Sequence, residues 1–349
     1  MGATAIRSTV AFPGLQLAAV ITSSQDKEGR DAASFAGLDA STGVPATTDV
    51  DAALADCDAV AYMASGDIRP EEAVADIERC LRAGRHVVTP SLYSLYDPRS
   101  APPEWLDKLG RAAEEGAATL LVSGVDPGWG NDALAVTAAG LCTRIKTIHC
   151  QEIFDYSTYN QPHSVRVLCG FGGSMEETPM MLLPSIPTMV WGGNIRLVGR
   201  GLGLEIDEIT EEVERRPLEE DVDTVMGRFD KGTQGAFWLK VIGKSGGRER
   251  IVIDHITRIH ASCAPDWPYP DEGVGDHRVI IDGDPRLTIT TRADVPGGTR
   301  ADGGNTTAAN RLLGALDWLA QQKPGIYDGL DVPLQTTLAP KAQRTRWAD

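Results

Sequence analysis

Between Leu15 and Ser123 the chain alternates short apolar runs with amphipathic stretches, and this alternation constrains the fold more than any other feature. Residues 15–21, 58–63, 86–89 and 119–123 have the length and apolar character of buried strands. Residues 71–83, closed by Gly84, and 104–115, closed by Gly116, carry the spacing and terminal glycine of helices. Strands separated by helices are too far apart in sequence to pair as hairpins, so they form a parallel sheet with crossover helices. Each strand runs into small or polar residues: Thr22-Ser23-Ser24, Ala64-Ser65-Gly66, Thr89-Pro90-Ser91 and Ser123-Gly124. They mark a carboxyl edge, where open α/β sheets bind ligands.

After about residue 145 the pattern changes. Residues 145–154 and 203–209 read as extended, and residues 236–243 and 248–259 flank the turn Lys244-Ser245-Gly246-Gly247. A further pair, 278–282 and 287–292, is joined through Gly283-Asp284-Pro285. An antiparallel sheet is expected there, hence a second domain of α+β type. Residues 306–322 read as an amphipathic helix with Asn305 or Thr306 as its cap. The expected division is 1–140 for the parallel α/β domain, 141–304 for the α+β domain, and 305–349 for a C-terminal helix and tail.

Composition narrows the function. Thirty-three basic against 49 acidic residues give a net charge of −16, which disfavours a broad nucleic-acid or anionic-membrane surface. The richest apolar run, 180–191, is broken by Pro184 and Pro187, and the N-terminus lacks the apolar core of a secretory signal. A cytoplasmic protein acting on a small molecule is expected. The six cysteines form no C-x-x-C pair and the six histidines no H-x-x-x-H pair, so neither a disulfide framework nor a metal site is expected. No G-x-S-x-G elbow is present.

A dinucleotide-binding unit begins with a strand, a G-x-G-x-x-G turn and a helix, and here the helix predicted over 3–12 comes first. Met1-Gly2 fits the last two places of such a turn, with Gly2 as the glycine that allows close packing of helix on sheet. The succession Val20–Asp31, Cys80–Thr89, Ser123–Asp132, Gly170-Phe171-Gly172 and Gly304–Asn310, followed by Pro324-Gly325, resembles the family of NAD(P)H-dependent amine dehydrogenases and 2,4-diaminopentanoate dehydrogenases. The first domain of that family is similar to dihydrodipicolinate reductase. The resemblance implies a Rossmann-type domain whose first strand lies upstream of Met1, a start codon misassigned at Met1, a helix 306–322 that returns to the first domain, and a homodimer formed through the second.

The residue ending the second Rossmann strand selects the cofactor, since an acid there binds a ribose 2′-hydroxyl and repels a 2′-phosphate. Here the strand runs into Ser23 and Ser24, then Lys27 and Arg30, with no carboxylate before Asp26. Hydroxyls and cations suit NADP(H), with NAD(H) tolerated. Ala64, Ser65, Thr89 and Pro90 are the candidate lining for the nicotinamide side.

In amine-forming members of the family, the loop after the strand equivalent to His86–Thr89 carries a glutamate that handles the amine proton. This chain has Leu92, Tyr93 and Ser94 at that place. The departure argues for Tyr93 as proton donor to a carbonyl oxygen, and against ammonia as co-substrate unless Asp126 or Asp155 supplies the anion. Asp126, Trp129 and Asn131 in the next carboxyl-edge loop are candidates to face the nicotinamide, Trp129 as a pocket wall, with Tyr156 and Tyr159 as substrate-pocket residues. Asn131 or Asp132 doubles as a helix cap. The expected activity is hydride transfer from NAD(P)H to a carbonyl or imine carbon. The alternatives are a reductive-aminating enzyme with a relocated carboxylate, and a non-catalytic dinucleotide sensor.

Overall fold

A computed structural model describes residues 1–66 and 68–333. The chain forms two compact units, Met1–Gly124 together with the chain from Asn305 onward, and Val125–Gly304.

In the first unit the chain runs α1 (Gly2–Ala11), β1 (Val20–Ile21), α2 (Ala33–Ala36), β2 (Ala46–Thr47), α3 (Val50–Ala55), β3 (Ala59–Ala61), α4 (Pro70–Arg82), β4 (His86–Thr89), α5 (Pro103–Gly116) and β5 (Thr119–Val122). Helix α4 shows why these segments are helical. Pro70 opens it, Glu71 and Glu72 sit in its first turn and Arg79 and Arg82 in its last, complementing the helix dipole at both ends. Its Val74, Ile77 and Leu81 pack with Leu109 and Ala113 of α5 and with Val87, Leu120 and Val122 of the sheet. All strand pairings here are parallel, as the alternation predicts. They fall into two sheets, β1–β2 and a larger one containing β3, β4 and β5. The apolar run at 15–21 is strand only at Val20–Ile21.

The second unit contains α6 (Ala133–Ala139), β6 (Arg144–Asp155), α7 (Ile186–Gly201), β7 (Glu208–Pro217), β8 (Val222–Thr224), β9 (Gly227–Phe229), β10 (Gln234–Ser245), β11 (Arg248–Arg258), β12 (Gly275–Asp284) and β13 (Leu287–Thr291). Its main sheet has six strands in the order β13-β12-β6-β11-β10-β7. All neighbours are antiparallel except β6 and β11, which run parallel. The side-chain alternation of strands puts Glu152 of β6, Phe237 of β10, His255 of β11 and His277 of β12 on the face that packs against α7. His149, Trp238 and Asp254 share the opposite face, where Asp254 accepts from both.

The chain then forms α8 (Arg300–Gly314), α9 (Leu316–Leu319) and β14 (Gly325–Tyr327), the last pairing in parallel with β5 in the first unit. The single helix expected over 306–322 is therefore two. It also starts earlier, because Thr299 and Asp302 cap each other reciprocally: Thr299 N–H donates to Asp302 Oδ2 at 2.9 Å and Asp302 N–H to Thr299 Oγ1 at 3.2 Å. The apolar run at 180–191, not assigned a helix from sequence, enters α7, which accepts Pro187 because a proline in the first turn gives up no helical hydrogen bond. Among the described residues no helix is long and apolar enough to cross a membrane.

Candidate active site

The second unit holds a cluster of ionisable side chains drawn from four places in the sequence. Asp126 lies in the loop after β5, Glu152 on β6, His255 on β11 and His277 on β12. The register explains the convergence: in β6, Glu152 is the direct partner of both His255 and His277, so the three side chains stand side by side on one face. Gly130 brings the loop against them. A Cβ there would come within 2.9 Å of the Val125 carbonyl and 3.6 Å of the His277 ring.

Asp126 is held by two donors on one oxygen. Trp191 Nε1 of α7 and the Asn131 side-chain amide each donate to Oδ1 at 2.7 Å. The Asn131 orientation is fixed in turn, because its own oxygen accepts from Gly128 N–H at 2.9 Å. Glu152 is the carboxyl group next to Asp126, the two bringing an oxygen each within 4.8 Å of one another. Two carboxyl groups so close in a buried place disfavour ionising together, which raises the affinity of one of them for a proton.

The electrostatics assign the proton. Burial and the Glu152 charge push the Asp126 carboxyl up to about 8. Burial acts on Glu152 as well, but it is outweighed chiefly by His255, 3.4 Å away, which holds Glu152 below the usual carboxylate range. Burial disfavours an imidazolium at His255, yet the Glu152 carboxylate 3.4 Å from Nδ1 raises its pKa. Burial keeps His277 neutral. Tyr156 closes the group, its hydroxyl 3.5 Å from Glu152 Oε1 and its phenol pushed up by burial. Asp126, Glu152 and His277 each offer a ligand atom within 4.8 Å of the others.

Aromatic rings wall the cluster. His255 stacks on Phe237 at 5.5 Å and lies 5.2 Å from Trp191, Phe154 meets His277 at 5.6 Å, and Tyr159 lies 5.0 Å from Tyr156. Gly275 leaves room for Phe154, whose ring would lie 2.3 Å from a Cβ at that position.

Several sequence candidates meet here: Asp126 and Asn131 are bonded to each other, Tyr156 touches Glu152, and Trp129 is half-buried in the same loop. The helix cap is Asp132, not Asn131. Asp155 does not join them, because it turns to the other side of β6, accepting from Tyr269 at 3.0 Å and from Ser157 N–H. Sequence reasoning missed Glu152, Trp191, His255 and His277. A signal for two of them existed: Glu152 and His255 are polar residues at inward positions of otherwise apolar strands.

The remaining candidates lie in the first unit. Tyr93 sits half-buried in a turn beside Tyr96, ring centroids 6.2 Å apart, next to the buried Leu92 and Leu95. Lys27 is exposed, Arg30 stacks on Phe35 at 4.8 Å, and Ser24 donates to Asp26. Ser23, Ala64 and Ser65 are exposed and Pro90 half-buried at the strand ends, whereas Thr89 is fully buried with its hydroxyl accepting from Ser91 N–H at 3.0 Å. A Cβ at Gly2 would meet no atom within 4 Å, so close packing does not require a glycine there. The first turn of α1 has neither a side-chain cap nor an acid, which leaves its amide donors suited to a phosphate.

Residues 131–346 match the family of the 2,4-diaminopentanoate dehydrogenase C-terminal domain. An amine dehydrogenase from Streptomyces virginiae is 55% identical over 341 residues, 97% of this chain and 95% of that protein. A 2,4-diaminopentanoate dehydrogenase from Acetoanaerobium sticklandii is 24% identical over 245 residues, 68% of this chain and 64% of the relative. The solved structure of an amine dehydrogenase from Mycobacterium smegmatis shares the fold, with a TM-score of 0.75 at 19% identity over 97% of this chain and 94% of that one. The Rossmann-type unit joined to a mixed-sheet unit is thus the architecture of a dinucleotide-dependent oxidoreductase. The chain belongs to the amine dehydrogenase and 2,4-diaminopentanoate dehydrogenase family.

Proposed function

We propose that the protein interconverts a carbonyl compound and its primary amine, using ammonia and NAD(P)H. One observation carries this reading: two carboxyl groups, Asp126 and Glu152, converge within 4.8 Å of each other and of His277, with His255 3.4 Å from Glu152. This pair supplies the anion that the loop at Leu92, Tyr93 and Ser94 lacks.

The Glu152 carboxylate attracts the ammonium or iminium cation, and the half-buried rings around it strengthen that attraction by excluding water. The neutral Asp126 carboxyl donates its proton to the imine nitrogen, and in the reverse direction its carboxylate accepts one from the amine. The bound dinucleotide supplies the hydride to the imine carbon. Carbonyl, ammonia, NAD(P)H and one proton thereby give amine, water and the oxidised cofactor. Asn131 and Trp191 act as orienting donors on Asp126, and Trp129, Tyr156 and Tyr159 bound the pocket.

For the cofactor we favour NADP(H), on the exposed Lys27 and on Arg30, with NAD(H) tolerated because Asp26 stands in the same loop. The exposed Ser23, Ala64 and Ser65 and the half-buried Pro90 are the contacts assigned to it, and Thr89 serves by fixing the loop rather than by touching it. Residues 1–124 with the C-terminal segment serve as the cofactor unit and 125–304 as the substrate unit. Two copies pair through the sheet face bearing the half-buried Trp238 and His149. Six unpaired thiols suit the cytoplasm.

The test is incorporation of nitrogen. A panel of ketones and aldehydes incubated with NADPH and 15N-ammonium should give 15N-labelled primary amine by mass spectrometry. Unlabelled alcohol as the sole product would overturn the reading.

A further inference from the structure

We propose that Glu211 of β7 is a positioning residue for the candidate active site: it anchors the first turn of α7 and thereby sets the indole of Trp191 on Asp126. Its consequence for turnover rests on the reading of Asp126 as part of the amine-handling site; the anchoring itself does not.

Helix α7 is weak by composition. Its 16 residues include four glycines, two of them directly after Trp191, and glycine in a helix interior costs backbone entropy. Residues 191–195 are all buried, but in the turn before Trp191 only Pro187 is. The N-terminus lacks a local cap too: Ser185 makes no side-chain bond there and stands at φ 72°, in the left-handed region. Glu211 supplies the cap from another element. Its Oε2 accepts from Ser185 N–H at 3.0 Å, and its Oε1 accepts from Thr188 N–H at 2.7 Å and from the Thr188 hydroxyl. A carboxylate there satisfies free helix amides and complements the positive end of the helix dipole. The register puts it in place, since Glu211 pairs with Val241, which shares with Phe237 the face toward α7. Two residues before it, Ile209 lies against Gly192, where a Cβ would come 3.6 Å from the Ile209 side chain.

From that anchor α7 carries a row of donors. Thr188, Trp191 and Asn194 recur every three residues, close to one helical turn. Each donates to a carboxyl group: Thr188 to Glu211, Trp191 Nε1 to Asp126 at 2.7 Å, and the fully buried Asn194 side-chain amide to Asp132 at 3.3 Å. Asp126 and Asp132 are the two ends of the loop that also bears Trp129 and Asn131. A slip or rotation of α7 would disturb both bonds together, so the contacts that fix α7 to β7 also fix that loop.

The experiment follows hydrogen exchange of the indole N–H groups of the full chain by 1H–15N NMR, with Trp191→Phe to assign the Trp191 signal. Trp238, whose Nε1 donates to Asp254 at 2.9 Å on the other face of the sheet, is the internal control. In Glu211→Ala, exchange at Trp191 should quicken at least about fivefold relative to Trp238, the effect of a lost helix cap on a local opening. Equal acceleration of both indoles, as in a general loss of stability, or unchanged exchange at both would overturn the proposal. Glu211→Gln decides if the alanine variant does not fold. Its side chain keeps one acceptor oxygen for the two N–H groups that Glu211 holds on separate oxygens, so a smaller acceleration confined to Trp191 is expected and none at all refutes. Turnover gives the second readout: Glu211→Ala should lower kcat for ammonium-dependent NADPH oxidation by a similar factor with little change in KM for the carbonyl, and should add little in the Trp191→Phe background. Fully additive losses would show that Glu211 does not act through Trp191. If neither wild type nor variants form amine, the proposed activity falls and the indole exchange still decides the anchor.

Discussion

Trp191 and Asp126 are joined by a 2.7 Å hydrogen bond from the indole N–H to Oδ1, although they lie far apart in the sequence and on different elements. That bond ties the loop after β5 to helix α7. It lowers the affinity of Asp126 for its proton, against the larger upward push of burial.

Replacing Trp191 with Phe keeps a ring against His255 and removes the donor. The Asp126 carboxyl should then hold its proton to higher pH, and the alkaline limb of the kcat/KM profile for amine formation should move upward. The pH–rate profile of Trp191→Phe checks this; a downward shift would show that the indole does not stabilise the carboxylate.

Stability should carry the same signature. Asp126 keeps its proton in the folded protein to about pH 8, while an unfolded chain releases it near the ordinary carboxylate value of ~4. Between those limits the unfolded state binds fewer protons, so this group makes stability fall as pH rises through the window. Asp126→Asn cannot ionise and should lose less stability than wild type between pH 5 and 8. Urea unfolding of both proteins across that range measures it.

Cofactor choice is tested at the loop after β1. Lys27→Ala with Arg30→Ala removes charge-assisted contacts worth roughly 1.5–3 kcal/mol each if they bind a 2′-phosphate. The dissociation constant for NADPH should rise at least about tenfold, with little change for NADH, in fluorescence titrations. Equal losses for both would place the 2′-phosphate elsewhere.

The parallel sheet of the first unit was legible because its strands are apolar throughout and its helices carry proline starts and glycine stops; both are local signals. The second unit was legible as strands, but the β6–β11 parallel pairing was not, since strand order depends on tertiary contacts. In the candidate site Asp126 and Asn131 stood out because they sit in a loop at a strand end. Glu152 and His255 looked like strand residues, and only the register, which pairs them, reveals that they meet. Trp191 was hidden because two prolines masked the helix that presents it. Tyr93 drew attention through the family's missing glutamate, whereas the carboxylate chemistry lies on other elements.

The most direct test of the account is the rate of NADPH oxidation with a carbonyl substrate, with and without ammonium, in wild type, Asp126→Asn and Tyr93→Phe, each checked for folding by thermal melt. The account predicts ammonium-dependent turnover in wild type, a loss of about 10²–10⁴-fold in Asp126→Asn as expected for a removed general acid, and near-normal rates in Tyr93→Phe. Ammonium-independent turnover that survives in Asp126→Asn and is lost in Tyr93→Phe would contradict it, and would make Tyr93 the acid of a carbonyl reductase.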